Sequence, residues 1–534
     1  MNVRSRLGVI KNVQSLFLLT ASKYILFAAC GFGCAFLSPK CFSEEAVEKP
    51  NVLFIAVDDL NDWVGVLGGH PQAVTPNIDR LAHRGLLFRN AYCSAPGCNA
   101  SRTSLLMGLR PSTTGIYKNA HDWRTTNLVE NAVHLPQHFK DHGYLTLGAG
   151  KLFHSHTFFD PKYLSGFSDP KAWDDYFPSL SQQMPAEVTP DEWPVNSNPK
   201  FYGGHFDWAA LDIEPSEMAD AKVVDWAKEQ LGRSHDRPLF LSVGIYRPHV
   251  PWYVPREFFE RFPLESIQLP VHLAGDIDDL PAAGKEMAKL KWHEWIVANG
   301  QWKKAVQGYL ASLAFADEMV GQLLDALDNG PMANNTTIIL WGDHGYHLGE
   351  KQHWEKFALW ENTTHVPLIV VSPGHTTPMT QCDSPVSLLD LYPTLVDLCG
   401  FQKPPQQIEG ESLVPFFEDP NRQTNRVAIT TQGKQNHSVR SKRYRYIVYA
   451  DGTQELYDHD NDPHEWKNLA ADPASSLVVQ KLAGLLPAVN KDPITVPEKP
   501  PANSTAQPPA NSTAQPPATN TAQPPAKGAT ANED

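Results

Sequence analysis

The sequence predicts an α/β fold: a large, mostly parallel sheet flanked by helices, plus a smaller C-terminal domain with an antiparallel sheet. Three observations predict it. Continuous apolar, β-branched runs recur from residue 51 to about residue 371, helical patterns lie between them, and the texture changes near residue 426. The first run, residues 51–57, ends in Asp58-Asp59 and reads as a strand buried on both faces, as parallel sheets require. Further strands are expected at residues 144–147, 239–243, 337–341 and 366–371. The clearest helix spans about residues 304–327, with Val306, Leu310, Leu313, Val320, Leu324 and Leu327 on one face and Asn329-Gly330 as its stop. Beyond residue 426, short strands at residues 427–431, 443–449 and 455–457 are joined by turns such as Asp451-Gly452.

These elements divide the chain into a leader at 1–44, a main domain at 48–425, a smaller subdomain at 426–490 and a tail at 491–534. Arg4, Arg6 and Lys11 precede an apolar run at residues 24–37, the pattern of an export signal. That run is short beside the ~20 residues of a membrane span, so an exported protein without a stable span is expected. The tail repeats Pro-Pro-Ala-Asn-Ser-Thr-Ala-Gln and cannot bury enough surface to order itself. Its sequons at Asn503 and Asn511 read as parts of a flexible tether.

Of 534 residues, 42% are hydrophobic and 19% charged, with a formal net charge of −14. That balance excludes a protein that grips nucleic acid through a general basic field. An anionic substrate would need cationic groups concentrated in a pocket, which favours one end-group at a time. Cys30, Cys34 and Cys41 fall in the leader region, leaving Cys93, Cys98, Cys382 and Cys399, too few for a disulfide scaffold. A single Cys382–Cys399 bridge is open to the chain, and Cys98 taken alone reads as a partner for Cys93 or a small apolar residue.

In an open α/β sheet, ligands bind beyond the carboxyl ends of the strands. Asp58 and Asp59 follow the first strand, and Asp343-His344 follows residues 337–341. Each pair alone serves equally well as a turn or cap; together they make a site for a hard divalent cation, calcium or magnesium. Cationic residues fall at the same edge. Lys151 and His154 follow the strand at 144–147, His249 lies in Arg247-Pro248-His249-Val250-Pro251, and Lys356 stands thirteen residues after Asp343.

The remaining motif is Cys98-Asn99-Ala100-Ser101-Arg102, a cysteine and an arginine four residues apart ahead of an apolar run. With the segments around Arg110-Pro111-Ser112-Thr113-Thr114, Trp123-Arg124, Lys151–His154, His249 and Asp343–Lys356, it resembles the type I sulfatases of the alkaline-phosphatase-like superfamily. The likeness is greatest to the iduronate-2-sulfatase branch and covers about residues 50–420. Ala100 departs from the proline more usual in the motif, and Asn99 is also less usual there.

The resemblance implies that Cys98 is oxidised by a formylglycine-generating maturation enzyme. It implies that Asp58, Asp59, Asp343, His344 and residue 98 hold one divalent cation, calcium first. It implies further that the hydrated aldehyde attacks sulfur with Asp343 as base, while Lys151 and the cation stabilise the sulfuryl oxygens. His249 and Lys356 would serve the leaving oxygen and the sulfate, His154 would be the base that resets the aldehyde, and Arg102 would hold the hydrate. The expected substrate is a sulfated saccharide, with the 2-O-sulfate of a terminal iduronate first. Lys434, Arg440, Lys442, Arg443 and Arg445 offer a grip for its carboxylate, or only a solvated basic turn. Two rivals are a phosphatase or phosphonate hydrolase of the same superfamily, and a silent saccharide-binding protein in which Cys98 stays a thiol.

Overall fold

The computed structural model describes residues 49–126, 131–154, 168–179, 181–185 and 188–495. The expected export signal, the tail from residue 496 onward with its repeat, and the sequons lie outside the described residues. Among the described residues no helix is long and apolar enough to cross a membrane.

In chain order the strands begin with β1 (Asn51–Val57), β2 (Leu86–Tyr92), β3 (Leu145–Gly150), β4 (Asp175–Phe177), β5 (Trp208–Leu211), β6 (Leu239–Ile245) and β7 (Trp252–Pro255). They continue with β8 (Thr336–Gly342), β9 (His347–Leu348), β10 (Trp354–Glu355), β11 (His365–Val371), β12 (Thr380–Cys382) and β13 (Val386–Ser387). The last four are β14 (Ala428–Thr431), β15 (His437–Arg440), β16 (Tyr444–Val448) and β17 (Gln454–Asp458).

The large sheet has the order β12-β2-β11-β8-β1-β6-β3-β4, with β13 also paired to β2. Its central strands β8, β1, β6 and β3 are mutually parallel, while β11 runs antiparallel to both β8 and β2. β1 sits in the middle because from Val52 onward every residue is buried. Alternate side chains feed two layers. Leu53, Ile55 and Val57 pack with Leu310, Leu313 and Val320 of the long helix Trp302–Asp328. Val52, Phe54 and Ala56 face Leu105, Phe139 and Tyr392 on the other side.

β14 to β17 form a separate antiparallel sheet in sequential order. Ile447 and Tyr457 of this sheet pack with Leu280, Leu359 and Trp360, so it is seated on the segments that flank Lys356 and Glu361. β15 falls in the stretch read as a possible basic turn. Its Arg440 is buried against Glu361, so the charge that argued for solvent is neutralised inside.

Two expectations change. The first residues of the tail expected from residue 491 are held: Lys491 N–H donates to Ser112 O (2.9 Å), Ile494 N–H donates to Gly115 O (3.1 Å), and the Ile494 side chain packs on the core. The four described cysteines are all free and buried, so Cys382 and Cys399 form no bridge.

Candidate active site

Four neighbouring strands, β3, β6, β1 and β8, end at one edge and deliver most of the candidate residues there. Asp58 N–H still donates to Ile245 O (3.1 Å), extending the ladder by one residue. Asp59 then turns away with φ 58, a left-handed conformation costly for a non-glycine residue. Its N–H donates to Asp343 Oδ1 (3.0 Å), and its carbonyl accepts from the Tyr309 hydroxyl (2.9 Å). The two acidic pairs, 284 residues apart in sequence, are thereby locked together.

Cys98 is the first residue of the helix Cys98–Met107, whose ten residues are all buried. The helix N-terminus carries partial positive charge and favours an anion there. Asn99 fixes this end: its Nδ2 donates to Lys118 O (3.0 Å) and His121 O (2.6 Å), while its N–H donates to Asn119 Oδ1 (3.1 Å). Cys98 Sγ lies 3.2 Å from Lys356 Nζ and 3.2 Å from His344 Nε2. Burial opposes ionisation of the thiol, but Lys151, Lys356 and His344, with His154 as a hydrogen-bond partner, hold its pKa well below the ordinary value.

The cations are interleaved with the carboxylates. Lys151 pairs with Asp58, and Lys356 Nζ donates to Asp59 Oδ1 (2.8 Å). His249 Nε2 stands 3.9 Å from Asp59 Oδ2, and its Nδ1 is 2.6 Å from Val250 O, which turns Nε2 toward the site. Arg102 donates from Nη2 to Asp58 Oδ1 (3.0 Å) and from Nε to Asp343 Oδ2 (2.8 Å). Its Nη1 donates to the carbonyls of Lys151 and Leu152. Arg102, expected to hold the hydrate, therefore directs these bonds to the two carboxylates and the backbone. Burial raises both carboxylates, and unequal neighbouring charges drive them apart in acidity. Asp58 is raised by burial and by Cys98, but Lys151 and Arg102 bring it far below the usual range. Asp343 is pushed up by burial and by the charge on Asp58, although Arg102 opposes this.

Lys356 reaches the site from a strained loop. Lys351 (φ 53), Gln352 (φ 48), Glu355 (φ 74) and Phe357 (φ 72) all adopt left-handed conformations. Glu355 is buried and paired with Lys289, and the Lys356 carbonyl lies 3.1 Å from His353 Nε2.

Ten residues named from sequence, Asp58, Asp59, Cys98, Arg102, Lys151, His154, His249, Asp343, His344 and Lys356, are buried, and their mutual contacts bring them together. Ligand atoms of Asp58, Cys98, Asp343 and His344 all lie within 4.8 Å of one another, as do those of Asp58, Asp59, Cys98 and His249. Asp59 Oδ2 is buried without a hydrogen-bond partner, so an oxygen is left for a hard cation. The donor set fits such an ion. The basic segment behaves differently. Arg440 and Arg445 pair with Glu361, Arg445 also with Glu465, and Arg443 with Asp458. These arginines are committed to carboxylates, and the group Glu361, His459 and Glu465 is neutralised by them.

A family model described as "Sulfatase" matches residues 50–401. The chain belongs to the sulfatase family. A second model, "N-sulphoglucosamine sulphohydrolase, C-terminal", matches residues 349–492 of this sulfatase and so spans the join between the two sheets. A sulfatase of Formosa agariphila is 39% identical over 483 residues, covering 88% of this chain and 92% of its own. Human iduronate 2-sulfatase is 31% identical over 423 residues, covering 70% and 73%. Among solved structures, the phosphonate monoester hydrolase of Agrobacterium radiobacter aligns with TM-score 0.65 at 22% identity, covering 82% and 94%, and shares the fold.

Sequence reasoning missed the residues that brace the site. Tyr309, in the long helix, holds Asp59 O and lies 2.9 Å from Asn61 Oδ1, and Ser101 Oγ donates to Asp343 O (2.5 Å). The spacing of Asn61 after Asp59 was visible; its partner 248 residues away was not.

Proposed function

We propose that this sulfatase removes the 2-O-sulfate from a terminal hexuronate, iduronate first, using formylglycine at residue 98 and one bound calcium ion. The observation that carries this reading is the burial of Cys98 at a helix N-terminus with Lys356 Nζ and His344 Nε2 each 3.2 Å from its sulfur. The 31% identity to human iduronate 2-sulfatase supports the uronate. A net charge of −14 over the whole chain, with Lys151 and Lys356 concentrated in the buried site, supports a substrate taken by its end.

Asp58, Asp59, Asp343 and His344 would hold the cation, which when bound supplies positive charge to the sulfuryl oxygens. The hydrated aldehyde supplies a hydroxyl nucleophile at the position of Cys98 Sγ. Lys151 and Lys356 bind the sulfate oxygens by charge-assisted hydrogen bonds. Arg102 keeps Asp58 and Asp343 at fixed separation, and Asp343, whose acidity is weakened by burial, accepts a proton. His249, held by its Nδ1, presents Nε2 to the leaving oxygen and hands it a proton.

The test is sulfate release from three probes: a terminal 2-sulfated uronate, 6-sulfated glucosamine and an aryl sulfate. The uronate is expected to lead by more than about tenfold in kcat/KM. Equal or reversed preference defeats the uronate assignment, and faster turnover of the matching phosphate ester defeats sulfate.

A further inference from the structure

Trp193 and Tyr202 are 46% and 44% exposed, whereas Trp208, Trp252 and Trp354 in the adjoining core are buried. His205 stands between the first two, its ring centroid 4.9 Å from Trp193 and 6.1 Å from Tyr202. Large aromatic faces left open beside a buried charged site call for an apolar partner.

The platform is rigidly held. Asp207 is buried and accepts from the N–H groups of Val195 (2.6 Å), Asn196 (2.9 Å) and Ser197 (2.9 Å) and from the Tyr253 hydroxyl (2.5 Å). One carboxylate thus ties the segment after Trp193 to the segment after His205. Asp207 O also accepts from Trp252 N–H (2.8 Å), which joins the platform to the strand following the His249 loop. Tyr202 is itself left-handed (φ 50), and a Cβ at Gly204 would come within 3.2 Å of the Trp193 ring.

Its position is set by two contacts. The Phe206 ring lies 5.8 Å from Trp354, two residues before Lys356. Tyr202 stands within electrostatic reach of Lys356, Cys98 and Asp59, and His205 within reach of His249. The sulfate group itself is served by buried cations, so sulfur chemistry leaves this platform unused.

We infer that Trp193, Tyr202 and His205 form a saccharide subsite, with the indole stacked on the C–H face of the sugar next to the sulfated one and Tyr202 and His205 bonding its hydroxyls. The inference rests on the reading of a sulfated saccharide as substrate. A pyranose presents an apolar C–H face ringed by hydroxyls, and an indole covers it at low entropic cost. Affinity of this kind is independent of charge, which suits an acidic chain.

The test uses a uronate–glucosamine disaccharide with 2-O-sulfate on its terminal uronate, beside the methyl glycoside of the same sulfated uronate. Trp193→Ala should raise KM for the disaccharide about fivefold to tenfold, leave kcat within about twofold and leave KM for the glycoside within about twofold. Trp193→Phe should restore most of the loss, and Tyr202→Ala should reproduce part of it. In Cys98→Ala protein, calorimetric titration with the disaccharide should show the same Trp193-dependent loss of affinity. Equal affinity with and without the indole, or no binding by Cys98→Ala protein, overturns the subsite. Trp193-dependent binding without sulfate release by the unaltered protein overturns the substrate reading and leaves the subsite standing.

Discussion

Lys356 Nζ stands 2.8 Å from Asp59 Oδ1 and 3.2 Å from Cys98 Sγ, so one ammonium touches both a candidate cation ligand and the residue expected to become the nucleophile. Their sequence separations, 297 and 258 residues, are closed by the left-handed turns around residues 351–357. Lys356→Met keeps the stem but removes the charge. It should lower kcat/KM by about 10²–10³-fold, because a charge-assisted contact to the reacting group is lost in a dry site. Steady-state sulfate release checks this, and a loss below about threefold would remove Lys356 from the reaction.

Cys98→Ala should abolish turnover while leaving the thermal midpoint nearly unchanged. The sulfur is a single atom of a helix whose ten residues are all buried, and the substitution leaves the other nine in place. Mass measurement of the peptide containing residue 98 in active protein should show a sulfur-free aldehyde. Full activity in protein whose residue 98 is an unmodified thiol would overturn the nucleophile assignment.

Chelation should remove activity and lower the thermal midpoint, and calcium should restore both, because an ion bound only by the folded state stabilises by mass action. Asp343→Ala should show neither response. Stoichiometric metal in that variant would exclude the proposed ligand set.

Arg102→Lys should destabilise the fold by ~3 kcal/mol, since a single ammonium cannot reach Asp58, Asp343 and two carbonyls at once. Urea unfolding reads this directly; a change under ~1 kcal/mol would mean the buried fork is dispensable.

Asp317 predicts a pH dependence away from the active site. It lies in the long helix and caps a different one: its carboxylate accepts from the N–H groups of Asn77 (3.1 Å) and Ile78 (2.8 Å), where Thr75 makes no side-chain cap. Burial pushes its pKa up to about 6, against those hydrogen bonds. The folded value exceeds the unfolded one, so its contribution is fully present below about pH 4 and is lost as pH rises through 6, amounting to ~2–3 kcal/mol. Asp317→Asn should remove that slope from the stability difference between pH 4 and 7. An unchanged slope would assign the effect elsewhere.

β1 is legible to the residue because its seven positions form an unbroken run, apolar after Asn51 and buried on both faces from Val52. β2 is not, since Arg89 and Asn90 interrupt its apolar run even though both neighbours bury the rest. The chemical residues at the strand ends are legible by type and position. Their bracing is hidden, because Tyr309 acts on Asn61 across 248 residues, which leaves no local pattern. Arg440 shows the same limit: as sequence it is one of five clustered cations, and only the fold brings in Glu361, 79 residues away.

Glu361 carries a consequence for how the chain can be cut. It is held by Arg440 and Arg445 of the small sheet and by the Tyr92 hydroxyl (2.9 Å). The residues that follow it, Asn362 and Thr363, accept from Tyr346 N–H (2.8 Å) and Gly345 N–H (2.7 Å), beside Asp343 and His344. A chain ending near residue 425 would keep every candidate catalytic residue yet lose both arginines that pair with Glu361. The backbone that follows Glu361 therefore couples the small sheet to the acidic edge beside Asp343 and His344.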